Sequence, residues 1–297
     1  MPERAEMPTK IGKAGGGAVM MRGRTLGLAA WILLGASGLG QDAFTGFDRN
    51  DYPGDGALAA LRRSFRFAGY WLNPPPGETG NTWAGKRAIL LKSGFGFLVL
   101  FNGRTDAELK GRDAAAIGTA DGKAAAEAAR REGFARNVLI FLDQEEGGRL
   151  LAEQASYIFA WAEAVRAAGA RAGVYCSGIE VKDSSGVIST AEDIASRERA
   201  RPKSETTELW AANDACPPAP GCTLERPPMA GVFTADVSRL ATVWQFAQSP
   251  RRTQFSALCP KNAAPDGNCY APGLPAGANS FVDLDVSRSA DPSGGRQ

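Results

Sequence analysis

The sequence contains no histidine. That removes Ser-His-Asp and Cys-His nucleophile systems, histidine-ligated zinc and imidazole acid–base chemistry. Chemistry near neutral pH must then fall to carboxylates, Tyr, Lys or Cys, and carboxylates are the usual tools for breaking glycosidic bonds. A dominant charge sign is lacking too. The 34 Lys and Arg nearly balance 32 Asp and Glu, so bulk electrostatics point to no nucleic-acid partner. No G-x-G-x-x-G follows an early strand, so no dinucleotide cofactor is expected. No CxxC or histidine spacing calls for a metal. The one loop faintly like a calcium site, from Asp48 to Gly56, has Tyr52 at a ligand position and lacks the distal Glu.

Cysteine is sparse, with five in 297 residues, but its placement carries information. Cys216 and Cys222 flank a short Pro-rich loop, and Cys259 and Cys269 flank a polar one. These read as two local disulfides and hence an oxidising compartment. Cys176, inside an apolar run, reads as a buried free thiol. The N-terminus agrees with export. A basic stretch (Lys10, Lys13, Arg22, Arg24), the apolar run Leu26–Leu34 and small residues from Gly35 follow in the order of a secretory signal peptide. The apolar run falls short of the roughly 20 residues of a membrane span; a retained anchor is the alternative. Residues 1–42 are therefore expected to be signal peptide and extension, leaving a secreted or periplasmic protein with no membrane segment after cleavage.

The rest alternates apolar runs with helix-like stretches, the pattern of a parallel α/β fold. Strands are expected at Ala43–Phe47, Phe67–Leu72, Phe97–Phe101, Val138–Leu142, Arg171–Tyr175, Glu208–Ala212, Val243–Phe246 and Ser280–Leu284. Helices are expected at Asp113–Glu132, Leu151–Ala168 (stopped by Gly169) and Thr190–Ala200. Eight strands favour a closed (β/α)8 TIM-type barrel over residues 43–287, with long Pro-rich loops at its mouth. An open doubly wound sheet is the alternative. The polar residues 288–297 are expected to form a disordered tail.

Acids end several of these strands. In Ile140-Phe-Leu-Asp-Gln-Glu-Glu146, Asp143 and Glu145 are two apart and share a face. At a barrel mouth, two such carboxylates cannot both ionise freely, so one pKa should rise, as a general acid requires. Glu146 alternates away and suits the positive end of the next helix. Asp48 ends the first strand and Asp283 and Asp285 the last, and first and last strands are neighbours in a closed barrel. Tyr70, Trp71, Tyr175, Trp210 and Trp244, the last beside Gln245, occupy comparable positions. Each is a candidate sugar platform or a core residue.

The order Gly46-Phe-Asp48, Asp143-x-Glu145, Gly173-Val-Tyr175, Leu209-Trp210, Trp244-Gln-Phe246 and Val282-Asp-Leu-Asp285 resembles glycoside hydrolase family 25. Those are secreted lysozymes that cleave peptidoglycan on a (β/α)8-type barrel. The chain is more similar still to a sister group of secreted glycoside hydrolase-like domains. There the first-strand Gly-Phe-Asp and an Ala-rich third helix recur. The resemblance spans Phe44 to Ser287. It implies Glu145 as general acid, with Asp143 polarising an acetamido group or stabilising an oxocarbenium-like transition state. It implies Asp48 and Asp283 completing the acidic ring, Tyr70 and Tyr175 near the scissile sugar, and Trp210 and Trp244 in the wall or floor, with Gln245 a further substrate-binding candidate. It departs from family 25 after Asp48, where Arg49-Asn-Asp-Tyr52 replaces the usual x-Ser. The expected function is hydrolysis of peptidoglycan or a related cell-wall glycan. The alternatives are a non-catalytic glycan-binding barrel and a structural envelope protein.

Overall fold

The computed structural model describes residues 43–201, 206–214, 241–248 and 282–297, all within the compact unit Gly40–Gln297. The expected signal peptide and all four loop cysteines, Cys216, Cys222, Cys259 and Cys269, lie outside the described residues. Cys176 is buried and free, and burial pushes its thiol pKa up to about 12, which keeps it protonated and inert.

In chain order, β1 (Phe44–Asp48) leads through α1 (Leu58–Ser64) to β2 (Phe67–Trp71), then α2 (Arg87–Lys92) and β3 (Gly96–Asn102). The short α3 (Asp106–Leu109) and long α4 (Ala114–Arg131) precede β4 (Leu139–Gln144). Next come α5 (Ala152–Ala167), β5 (Arg171–Ser177), a small hairpin of β6 (Val181–Asp183) and β7 (Gly186–Ile188), and α6 (Thr190–Arg199). The chain finishes with β8 (Glu208–Ala212), β9 (Ala241–Ala247) and β10 (Asp283–Ser287). Eight strands close in the order β1-β10-β9-β8-β5-β4-β3-β2, so the closed barrel is as expected.

It is not all parallel. β10 runs antiparallel to both neighbours, β1 and β9. A reversed last strand brings its beginning, rather than its end, to the mouth. Asp283 therefore stands directly across from Asp48 in register. The last strand also begins later than the expected Ser280–Leu284.

The helices follow from periodicity and caps. Thr105 and Ser189 start α3 and α6 through reciprocal capping boxes with Glu108 and Glu192. Gly169, at φ 89°, stops the run of α5 as the sequence predicts. α4 and α5 approach so closely at two glycines of α4 that no side chain fits there. A Cβ at Gly118 would lie 2.3 Å from the Tyr157 carbonyl oxygen, and one at Gly122 would lie 2.5 Å from that of Trp161. Backbone cannot yield cheaply, so Gly118→Val should lower stability by about 1–3 kcal/mol or more, read as a lower urea midpoint. An unchanged midpoint would mean that the helices separate freely. Arg104 adds a two-pronged contact to the buried Asp121 of α4, at 2.8 and 3.1 Å, and Tyr157 of α5 donates to the same carboxylate.

The tail expected to be disordered is ordered. β3 begins below the start of β4, since their pairing opens only at Val99–Ile140. The lower β3 amides thus face no strand, and residues 291–295 take that place. Phe97 N–H donates to Asp291 Oδ1, Val99 N–H to Ser293 Oγ and Leu139 N–H to the Ser293 carbonyl, each at 2.9 Å. Ser293 is completely buried. Polar composition hid this because the segment contributes acceptors, not apolar surface.

Candidate active site

Alternation along the strands sorts each residue into the barrel or out of it. A cavity of about 450 Å³ opens at the mouth. Asp48 from β1, Asp143 from β4, Asp283 from β10 and Glu145 just beyond β4 all line it, with Tyr175 and Trp210 forming an aromatic wall. Room for this ring comes from small residues. A Cβ at Gly69 would come within 2.6 Å of the Asp48 Cβ, and one at Gly173 within 2.5 Å of the Phe141 ring. Tyr175 and Trp210 meet edge to face at 4.7 Å between centroids, and Phe141 supports Trp210 from below.

One buried amide ties the wall to the acids. Gln245 is almost fully buried. Its Nε2 donates to Asp48 Oδ2 at 2.9 Å and to Asp283 Oδ2 at 3.4 Å, and its Oε1 accepts from the Tyr175 hydroxyl at 2.8 Å. Gln248 in turn donates to the Tyr175 oxygen. Gln245 therefore sits behind the wall rather than in it.

Burial dominates the electrostatics. It lifts the Asp48 carboxyl from 3.8 to about 6, with Glu145 adding repulsion while hydrogen bonds from Gln245 and with Asp285 pull the other way. Asp143 is raised well above the usual carboxylate range, by burial first and then by the charges of Glu145 and Asp48. Asp285 rises likewise, through burial and then through Asp48. Glu145 stands exposed at the rim, and the surrounding walls still raise its pKa. A carboxyl raised in the folded state binds a proton that the unfolded chain has released, so stability falls as pH rises through that interval. For Asp48 the interval runs from 3.8 to about 6. Thermal melting should therefore show a midpoint that declines across it, and Asp48→Asn should flatten the decline. A midpoint that climbs there would contradict the sign.

Two of the expected platform residues point elsewhere. Tyr70 is fully buried on the outer side of the sheet against Trp83, Phe97 and Phe134. Its hydroxyl donates to Glu132 and accepts from the Arg87 amide. Its neighbour Trp71 is the β2 residue that lines the cavity, anchored by Nε1–H to the Arg49 carbonyl at 3.0 Å. Trp244 also turns outward, its Nε1–H donating to the Asn213 carbonyl, because the adjacent Gln245 faces in. In both cases the apolar strand is buried on both faces, so the sequence carried no sign of which phase was inward.

Asp285 is the acid that sequence reasoning noted but left out of the ring. It is completely buried, and its Oδ1 accepts from Trp210 Nε1 at 3.0 Å. Its two-residue spacing from Asp283 was the signal that both share a face. Arg49, Asn50 and Asp51 at the mouth were missed as well. They follow β1 in a loop fixed by the Trp71 bond and by Trp83 Nε1–H to the Asn50 carbonyl. Among the described residues, no cluster of acids and cysteines is arranged to hold a metal ion. No helix among them is long and apolar enough to cross a membrane.

No curated protein matches the chain. Among solved structures, an uncharacterised protein from B. stearothermophilus aligns over 82% of this chain and 94% of its own at 20% identity, with a TM-score of 0.50, which shows a shared fold. The Tat-secreted protein Rv2525c of Mycobacterium tuberculosis aligns at 12% identity over 83% of this chain and 94% of its own, with a TM-score of 0.47. A bacterial lysozyme from Streptomyces coelicolor aligns at 12% identity over 82% and 92%, with a TM-score of 0.44. A family model matches residues 72–222, half of the chain, which takes in β3, β4, β5 and β8 of the barrel. The chain belongs to the Rv2525c-like, glycoside hydrolase-like domain family.

Proposed function

We propose that this protein is an exported glycoside hydrolase that cleaves peptidoglycan or a related cell-wall glycan by carboxylate acid–base chemistry. The observation that carries the reading is the Asp143–Glu145 pair at the cavity. Asp143 is buried, and its Oδ1 has no hydrogen-bond partner among the described residues. A buried acceptor without a donor is costly, and the acetamido N–H of an N-acetylated sugar would supply one. Glu145 follows two residues later with a raised pKa and no side-chain partner among the described residues, placed to protonate a leaving oxygen. Tyr175 and Trp210 give the sugar ring an apolar wall. Asp48 and Asp283, bridged by Gln245, would face the developing positive charge of an oxocarbenium-like transition state. The signal-like N-terminus and the closely spaced loop cysteines, if joined as two local disulfides, support export.

A second reading, a glycan-binding barrel without catalysis, draws on the same burial. Asp143, which burial raises well above the usual carboxylate range, would act when protonated as a hydrogen-bond donor and acceptor to hydroxyls rather than as a charge. The discriminating experiment is reducing-end release from purified peptidoglycan and chitin oligomers, run beside calorimetry with the same glycans. Release supports the hydrolase. Binding without release favours the second reading. Neither release nor binding on any cell-wall glycan overturns both.

A further inference from the structure

Glu146 follows Glu145 but does not enter the cavity. Its carboxylate turns away from the mouth into a nest of donors. The Asp106 amide at the start of α3 donates to both oxygens, at 3.0 and 2.9 Å. The side-chain amides of Gln154 on α5 and Gln144 on β4 both donate to Oε2. Gln154 cannot turn its amide around without loss, because its Oε1 already accepts from the Leu151 amide at 2.8 Å. Behind the same turn, Thr190 of α6 donates to the Gly148 carbonyl at 2.8 Å. Three helices and a strand thus converge on four residues of chain. Glu145 has no such anchor, since none of its own side-chain atoms is bonded to another described residue. Its position is inherited from the backbone that Glu146 holds.

We propose that Glu146 is a positioning residue: its carboxylate locks the β4 exit to α3 and α5 and so sets where the neighbouring Glu145 carboxyl stands over the cavity. The inference rests on the glycoside hydrolase reading for its kinetic consequence, though not for its structural one. Only a group that accepts at both oxygens meets three donors at once. An apolar or amide side chain leaves donors unmet and frees the turn. A displacement of about 1 Å at a reacting group costs on the order of 100-fold in rate.

Two variants and two readouts test it in the full chain. In Glu146→Ala, kcat on peptidoglycan at the parent's optimal pH should fall by about 100-fold with KM within twofold. The exchange Glu146→Gln with Gln154→Glu should recover most of the loss. The acid at 154 then accepts from both Leu151 N–H and the new amide, whose oxygen serves Asp106 N–H. An unchanged kcat in Glu146→Ala, or a loss confined to KM, overturns the proposal, as does an exchange variant that melts like the parent yet stays slow. If Glu146→Ala does not fold, Gln154→Ala takes its place, with a smaller loss of the same kind expected. The second readout is the carboxyl carbon of Glu145, followed by NMR against pH. It should titrate above the ordinary glutamate range in the parent, return toward that range in Glu146→Ala, and rise again in the exchange variant. A titration that does not move overturns the positioning role even if the parent cleaves no glycan. Absence of cleavage with a titration that does move sinks only the hydrolase reading.

Discussion

Glu145→Gln is expected to lower turnover on cell-wall glycan by about 10²–10⁴-fold, the range that a positioned general acid contributes. Glutamine matches glutamate in size but has no proton to give to a departing alkoxide. Because Glu145 is exposed at the rim and its side chain has no partner among the described residues, the exchange should leave thermal stability nearly unchanged. Binding of the glycan should persist as well, since Tyr175, Trp210 and Asp143 are untouched. On the proposed hydrolase reading, the parent protein should lose rate as pH rises through the elevated pKa of Glu145, and the residual rate of the variant should lack that limb. Initial rates of reducing-end release across pH, for both proteins, test all of this together. A Gln variant as fast as the parent would remove Glu145 from the mechanism. Asp143→Asn makes an informative contrast, because it removes a buried carboxyl whose pKa burial has raised, and should cost binding and rate while leaving stability at neutral pH unchanged or higher.

Deleting residues 289–297 should unfold the barrel or nearly so. The deletion strips partners from the Phe97, Val99 and Leu139 amides, all on buried strands. Each orphaned buried donor costs about 1–3 kcal/mol, against a total stability of roughly 5–15 kcal/mol for a folded domain. The deletion would also uncover the rings of Phe97 and Phe134, against which Gly295 packs so tightly that a Cβ there would fall 2.8 Å from the Phe97 Cβ. The point variant Asp291→Ala isolates part of the effect. It removes the acceptor for Phe97 N–H, Gly295 N–H and Arg296 N–H together. Circular dichroism melts should show a large drop for the deletion and a smaller one for Asp291→Ala. Melting of the shortened chain at the parent temperature would show the segment to be dispensable. The tail lies at the barrel end away from the mouth, so any loss of activity in Asp291→Ala should track the folded fraction.

Much of this was legible in the sequence because it depends on neighbours along the chain. Apolar runs bounded by turn residues marked the strands of the barrel. β8 matches its expected range of Glu208–Ala212, and β2 and β5 start where expected. Helical spacing marked α4, α5 and α6 to within a residue at each end, and Gly169 marked a stop that needs positive φ. Asp48, Asp143 and Glu145 stood out because an acid at the end of an apolar strand has few reasons to be there. Their gathering at one cavity agrees with that reading.

What the chain order left open were relations between distant segments. An apolar strand buried on both faces looks the same in either phase, so only packing could decide that Trp71 and Gln245 face inward while Tyr70 and Trp244 face out. Strand direction is equally silent in sequence. Closure of the barrel set β10 antiparallel between β1 and β9, which put Asp283 across from Asp48 and drew Asp285 into the buried acid pair. The order of residues 289–297 and the anchoring of Glu146 have the same origin. In each, polar groups find partners tens or hundreds of residues away, as Phe97 does with Asp291 and Glu146 with Asp106. By itself the sequence determined which elements form and which acids end them, through local periodicity and turn chemistry. Which of those groups meet, and with what protonation, was decided only when the barrel closed and took its carboxylates out of water.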